Sequence, residues 1–115
     1  MAYDEFLSER IANQLKAKGI PYEAKKMMGG ICYMVDDKMC VGVVKDELML
    51  RINPEIEAEL LKHKGSRPMD FTGRRMKGYL FINAEGTDME DDLSQWVDKA
   101  LEFNPRAKSS KEKKS

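Results

Sequence analysis

The sequence predicts an α+β domain of two layers, in which an antiparallel sheet of about five strands carries helices on one face. Three observations lead to this fold class. Apolar residues recur at helical spacing near both ends of the chain, short β-prone runs are separated by pairs of polar residues, and helix start and stop signals divide the strands into two groups. The 115 residues fit a single domain with one core.

The first element is an amphipathic helix that begins at Asp4 and ends before Gly19. A strand over residues 22–28 follows. Gly29 and Gly30 break this strand, because a residue without a Cβ permits a tight turn, a bulge or the close approach of another chain segment. The apolar residues of this helix lie on one stripe, which consists of Phe6, Leu7, Ile11 and Leu15.

Three β-prone runs then predict an antiparallel meander, at residues 31–35, 39–44 and 47–52. The pairs at 36–37 and 45–46 separate these runs and leave room for short turns only. Neighbouring strands joined by such short turns must run antiparallel.

Turns of two residues set the pairing register of this meander, with Val35 opposite Lys38 and Val44 opposite Glu47. The side chains then divide between two faces. The face expected to meet the helices carries Cys32, Met34, Met39, Val41, Val43, Leu48, Leu50 and Ile52. The other face is too apolar for ordinary solvent exposure, and we expect it to bind a protein. Its members are Ile31, Tyr33, Val35, Cys40, Val44 and Met49.

The second helix begins at Asn53-Pro54, where an amide side chain caps the first turn, and it ends at Gly65 after a run of cations. Its apolar positions are Ile56, Leu60 and Leu61. A connection rich in glycine and arginine follows. Residues 69–71 are compatible with an extended segment, and residues 79–82 predict the last strand.

A capping box from Thr87 to Glu90 predicts the start of the third helix, whose apolar residues recur up to Phe103. We therefore expect the folded domain to span residues 1–103. Residues 104–115 contain few apolar side chains and predict a disordered basic tail.

The 20 basic and 20 acidic residues cancel, but they are unevenly distributed. The predicted tail has a net charge of +4, and residues 1–103, with 15 basic and 19 acidic residues, have a net charge of −4. An acidic body argues against a dedicated duplex-DNA binder. The chain lacks an apolar segment of membrane-spanning or signal-peptide length, so we expect a cytoplasmic protein with reduced thiols and no membrane partner.

Two motifs carry a family resemblance: KKMMGGICYM at residues 25–34 and RPMDFTGRRMKG at residues 67–78. KMC at residues 38–40 and the closing Trp96-Val97 extend it. Together they resemble the N-terminal domain of the TfoX/Sxy competence regulators. The resemblance implies the same α+β arrangement and a part in controlling bacterial competence or transcription. Regulators of this kind commonly join the domain to a second, C-terminal domain, in place of which this chain has a short basic tail.

The two cysteines do not have the spacing of a redox pair or of a metal site. The predicted register places Cys32 and Cys40 on opposite faces, with Cys32 packed and Cys40 the more accessible. A three-residue turn would instead bring them opposite each other. His63, the single histidine, falls in the last turn of a predicted helix, where a cation favours the carbonyl end. We therefore predict neither a metal site nor a cofactor.

The carboxylates of the acidic run have a structural explanation at the start of the third helix, through capping and the helix dipole. They are Asp88, Glu90, Asp91 and Asp92.

Six cations are the candidates for binding an anion, because arginine and lysine suit phosphate and carboxylate groups. They are Lys25, Lys26, Arg67, Arg74, Arg75 and Lys77. Four glycines would let the backbone approach a ligand or partner closely, namely Gly29, Gly30, Gly73 and Gly78. A solvated loop in which Asp70 pairs with an arginine remains the plainer interpretation of the basic cluster.

The sequence thus favours a non-enzymatic regulatory module that binds a protein partner or a second copy of itself. Tyr33, Val35, Val44 and Met49 would be buried in that interface, with arginines of residues 67–77 at its rim. Two alternatives stay open. One is a nucleic-acid accessory module that uses the basic loop and the tail, and the other is a thiol-dependent enzyme that uses Cys40.

Overall fold

The computed structural model describes residues 3–27, 29–71 and 74–107, with side chains except those of residues 27, 70–71 and 74–76. In this part of the chain the sheet contains six strands: β1 (Glu23–Met27), β2 (Gly30–Val35), β3 (Lys38–Val44), β4 (Glu47–Arg51), β5 (Ser66–Phe71) and β6 (Arg74–Ile82). The helices are α1 (Glu5–Ala17), α2 (Glu57–Leu60), α3 (Ala84–Thr87) and α4 (Glu90–Phe103).

The sheet is open and antiparallel, in the order β1-β2-β3-β4-β6-β5, so the predicted two-layer α+β fold is confirmed. It has one strand more than the approximate count expected. The connection rich in glycine and arginine is a hairpin, formed by β5 and a long β6. Pro68 is compatible with β5 because this strand lies at the edge of the sheet, where a missing N–H breaks no interior ladder.

The helix layer covers one face of the sheet and encloses the main core. Apolar residues of α1 and α4 pack there against side chains of the central strands. Asp4 caps α1 by accepting hydrogen bonds from the N–H groups of Phe6 and Leu7, as expected from the sequence. The helices contribute Leu7, Ile11, Leu15, Leu93, Trp96, Val97 and Ala100.

A β-bulge in β3 decides which side chains face this core. Both two-residue turns are confirmed, because Val35 opposes Lys38 and Val44 opposes Glu47. Between these turns the register shifts: Met34 opposes Met39, but Tyr33 opposes Val41, so Cys40 is an extra residue. An extra residue reverses the alternation of side chains along the strand on one side of the bulge.

Part of the predicted face assignment is therefore wrong. Ile31, Tyr33, Val35 and Cys40 belong to the helix-covered core, whereas Cys32, Met34 and Met39 lie on the opposite face. The residues beyond the bulge have the predicted orientation. Val41, Val43, Leu48, Leu50 and Ile52 face the helices, and Val44 and Met49 lie on the opposite face.

Two helix boundaries differ from the prediction. The second helical segment starts with a 3₁₀ turn at Pro54–Ile56 and ends at Leu60, well before Gly65. Asn53 caps it as predicted, accepting from the N–H of Glu55. Thr87 does not cap the last helix, because it ends the short helix α3, and α4 begins one turn later without a side-chain cap.

The folded domain continues beyond Phe103. Asn104–Arg106 forms a 3₁₀ turn, and the Asn104 amide donates to the Val35 carbonyl oxygen at 3.2 Å. Lys38 Nζ donates to the carbonyl oxygen of Asn104, and Ala107 is buried. The segment up to Ala107 therefore belongs to the domain rather than to the tail. Residues 108–115, the rest of the predicted tail, lie outside the described residues.

Candidate functional site

The sheet face opposite α1 and α4, here called the open face, carries a second apolar cluster. Four of its side chains are buried: Cys32, Met49, Met69 and Phe81. Four more pack against them and stay partly exposed: Met34, Met39, Val44 and Tyr79. These apolar side chains are additional to the core that the helices cover, and an apolar surface of this kind is typical of a binding site.

The centre of the open face is a row of directly opposed residues that crosses the whole sheet. The row runs Lys25, Cys32, Gly42, Met49, Phe81, Arg67. Gly42 leaves a gap in it, and the terminal methyl of Met49 lies 3.1 Å from where a Gly42 Cβ would stand. Met49 thus fills the space over Gly42. The row places a cation at each end of an apolar strip.

Arg67 closes one end of this row by lying across Phe81. Its guanidinium carbon is 4.7 Å from the ring centroid, and its Nη2 and Nε donate to the two carboxylate oxygens of Glu47 at 2.6 and 3.1 Å. Arg51 lies over Tyr79 in a similar way, at 5.8 Å. A planar guanidinium that stacks on a ring and binds a carboxylate with two hydrogen bonds is held in one orientation. These arginines form a polar rim to the cluster.

Tyr33, the expected centre of the interaction face, is instead part of the helix-covered core. Only 4% of its surface is exposed. Its hydroxyl donates to the Ser8 carbonyl oxygen at 3.0 Å, and Ser8 Oγ lies 2.5 Å from the same hydroxyl. Burial raises the pKa of Tyr33. Tyr33, Val35 and Cys40 are therefore unavailable to a partner in the folded domain, and Ile31 packs against the same core.

The six candidate cations do not form one cluster. Lys25 and Lys26 are exposed on β1, whereas Arg67 is on β5, and these are the two edge strands. Six strands at about 4.8 Å spacing put the edges ~24 Å apart along the sheet. Lys77 is exposed on β6. The side chains of Arg74 and Arg75 lie outside the described residues.

Three of the four candidate glycines have a backbone role. Gly29 lies in the β1–β2 turn with φ of 74°, and Gly30 is a strand residue on which a Cβ would collide with Val43. Gly78 has φ of 87°, and its N–H donates to the carboxylate of Glu57 at 2.8 Å. Gly30 therefore allows the backbone of β3 to approach closely, which is one of the roles that the sequence predicted for the glycines. Gly73 lies outside the described residues.

Glu57 is a residue that the sequence did not single out. Its side chain is only 3% exposed, and through the bond to Gly78 it joins α2 to the point where β6 departs from its pairing with β5. The local sequence does not distinguish Glu57 from the exposed glutamates nearby, because all of them lie beside the apolar stripe of a short helix. Only the fold identifies it.

Both cysteines are buried, on opposite faces of the sheet, so the prediction that Cys40 is the more accessible is wrong. Burial raises the pKa of Cys32 to about 11 and that of Cys40 to about 12. Neither sulfur is a thiolate near neutral pH, so neither is poised as a nucleophile.

The thiols are accordingly expected to resist iodoacetamide at pH 8 in the folded protein and to react rapidly in guanidinium chloride. With its pKa near 11, roughly one Cys32 thiol in a thousand is ionised at that pH. Mass spectrometry of the alkylated protein measures both rates. Fast alkylation of the native chain, with a rate that levels off below pH 8, would instead support the thiol-enzyme alternative.

Glu90, a member of the acidic run, and His63 each have structural partners. Glu90 accepts from the Gln14 amide at 2.5 Å and from Arg10 Nε at 3.1 Å, and these bonds, the first above all, lower the pKa of Glu90. Lys18 and Asp98 form a second ion pair between α1 and α4, at 3.0 Å. The His63 ring lies edge-on to Trp96, at 5.4 Å between centroids, beside a cavity of ≈ 180 Å³.

Within the described ranges, no three His, Cys, Asp or Glu side chains are grouped as metal ligands. The helices of the same ranges are too short and too polar to cross a membrane.

A protein-family model, described as TfoX N-terminal domain, matches residues 13–104. The chain belongs to the TfoX N-terminal domain family. A search among curated proteins found no match. The family is a non-catalytic domain family. The matched range contains all the residues of the open face, so the surface of interest in this TfoX N-terminal domain lies within the family's own fold.

Proposed function

We propose that this TfoX N-terminal domain is a non-enzymatic regulatory module that binds a protein partner through the open face of its sheet. The observation that carries the proposal is the set of partly exposed apolar side chains on a sheet face opposite the helix layer. They are Met34, Met39, Val44 and Tyr79. Exposed apolar clusters rimmed by polar residues are typical of protein-binding sites.

Methionine suits this surface because its unbranched thioether side chain adapts to partners of different shape. Met34 and Met39 oppose each other on neighbouring strands, one residue pair away from the β2–β3 turn, and both are partly exposed. Arg67, Arg51 and Lys25 lie around the apolar residues. An interface of this kind combines an apolar centre with a charged rim that orients the partner.

The same geometry favours binding over catalysis. Both thiols are buried with raised pKa values, and the single histidine packs on Trp96. A module without chemistry of its own acts by bringing a partner into place or by blocking it. Following the family resemblance, we place this action in the cytoplasm and in the control of competence or transcription, with no cofactor.

The first test is substitution of the partly exposed methionines by glutamate. Met34→Glu and Met39→Glu should leave the domain folded, because both side chains already contact solvent, and each should weaken association about 30-fold. That factor corresponds to ~2 kcal/mol, as expected for an apolar residue that becomes buried in an interface. Light scattering measures self-association, and affinity capture from native cell extract, followed by titration of the captured protein, measures binding of another partner.

Met89→Glu is the matched control, since Met89 is 67% exposed beside the helix layer. It should bind like the wild type. Equal loss of binding in all three variants would contradict the proposal. Captured material that nuclease removes, with an affinity that falls steeply as salt rises, would instead favour the nucleic-acid alternative.

A further inference from the structure

We infer that four sulfur atoms of the open face form a binding site for a soft monovalent metal ion, with Cu(I) as the expected ligand. The proposed ligands are Cys32, Met34, Met39 and Met49. All four belong to the apolar cluster on this face. Thiol and thioether sulfur are the ligands that select Cu(I) over harder ions.

The spacing of the first two ligands fits a shared ion. Cys32 Sγ lies 3.8 Å from Met34 Sδ. Metal–thiolate bonds are about 2.3 Å long, so two sulfur ligands of a tetrahedral ion stand ~3.8 Å apart. The two sulfur atoms, which are joined by a hydrogen bond from the Cys32 thiol, thus have the separation that a shared ion requires.

The bulge in β3 supplies the third ligand. The two-residue turn between β2 and β3 sets Met39 opposite Met34, and the extra residue Cys40 places this pair on the open face. Side chains of directly opposed residues start from Cβ atoms about 4.5–5.5 Å apart, well within the reach of two methionines. Since both are partly exposed, an ion can reach the site from solvent.

Met49 completes the set from the far side of Gly42. Gly42 lies between Cys32 and Met49 in the row across the sheet, and the Met49 methyl occupies the space over it. The absence of a Cβ at Gly42 thus brings a thioether of β4 towards the thiol of β2. Three neighbouring strands then contribute sulfur to one region.

The charge balance favours a monovalent ion. On binding, the Cys32 S–H bond breaks, the sulfur–metal bond forms and the proton passes to solvent. A thiolate and a monovalent cation form a neutral unit that can remain buried, whereas Zn²⁺ would keep one uncompensated positive charge among the four sulfur ligands.

The test is anaerobic titration of the reduced, full-length protein with Cu(I) in the presence of a chromophoric Cu(I) chelator. One ion per chain should be withheld from the chelator. Met34→Leu and Met39→Leu, which keep the shape and remove the sulfur, should each weaken binding at least tenfold, and Cys32→Ala should abolish it. X-ray absorption should give sulfur as the ligand type. Excess Zn²⁺ should leave the bound Cu(I) in place.

Met89→Leu and Cys40→Ala are the matched controls, one on an exposed methionine and one on the thiol of the opposite face; circular dichroism verifies their fold. Both should bind Cu(I) like the wild type. Failure of the wild type to compete with the chelator, or unchanged affinity in Met34→Leu and Met39→Leu, would overturn the inference.

Metal binding does not rest on the proposed function, and the two are measured separately. The Cu(I) titration uses the purified protein without a partner, so loss of Cu(I) retention leaves the protein-binding proposal standing, and loss of partner capture leaves the metal proposal standing.

Discussion

Substitution of Tyr33 by glutamate is expected to unfold the domain rather than to release a partner. The side chain is 4% exposed and packs among core residues under α1, with its hydroxyl bonded to Ser8. A carboxylate there would lose its hydration and would face the Ser8 carbonyl oxygen, which is also an acceptor. An uncompensated buried charge costs about 3–5 kcal/mol, a large fraction of the 5–15 kcal/mol that stabilises a domain.

Urea unfolding followed by circular dichroism measures this loss. Tyr33→Phe is the matched control, because it keeps the ring and removes only the hydroxyl. Its two contacts with Ser8 are worth ~1–2 kcal/mol together, so this variant should stay folded with a lower midpoint. A folded Tyr33→Glu protein with the same urea midpoint as the wild type would show that the Tyr33 side chain lies on the surface and not in the core.

Gly30→Ala is the second change with a large expected effect. A Cβ at this position would stand 1.9 Å from the Val43 carbonyl oxygen and 3.0 Å from Val44 Cα. Both atoms are backbone of the adjacent strand β3, so relief requires β2 and β3 to separate. We expect a loss of about 3 kcal/mol or more, because inserted atoms in a packed interior force backbone shifts.

The neighbouring Gly29→Ala variant separates this clash from conformational strain. Gly29 has φ of 74°, and a Cβ there would have no neighbour within 4 Å. Gly29→Ala should therefore lower the free energy of unfolding only through the strain of a left-handed backbone at a residue with a Cβ, which costs about 1–2 kcal/mol. Urea midpoints and hydrogen exchange of the β2–β3 amides compare the two variants. An equal or smaller loss in Gly30→Ala would contradict the close approach of β3.

The sequence predicted the fold class and much of the strand pairing, for local reasons. Two polar residues between β-prone runs allow only a tight antiparallel turn, which places Val35 opposite Lys38 and Val44 opposite Glu47. Asp4 and Asn53 cap their helices because a short polar side chain can reach the free N–H groups of the next turn. These features depend on residues that are close together in the chain.

The candidate site was predicted in part. Val44 and Met49 lie on the open face as expected, and Arg67 lies at its rim. Met34 and Met39, which now carry the proposal, were assigned to the core. The error has one source, the extra residue at Cys40, and nothing in the alternation of apolar residues from Ile31 to Val44 marks a bulge there.

By itself, then, the sequence determined what depends on neighbouring residues: most of the helices and strands, the turns at 36–37 and 45–46, the caps at Asp4 and Asn53, and the family to which the chain belongs. The tertiary structure decided which face each side chain of β2 occupies and how far apart the basic residues lie. The physical reason is that a one-residue shift between two strands exchanges their faces. The choice between registers depends on packing against α1 and α4, which are distant in sequence, and the energy of that packing is absent from any local pattern.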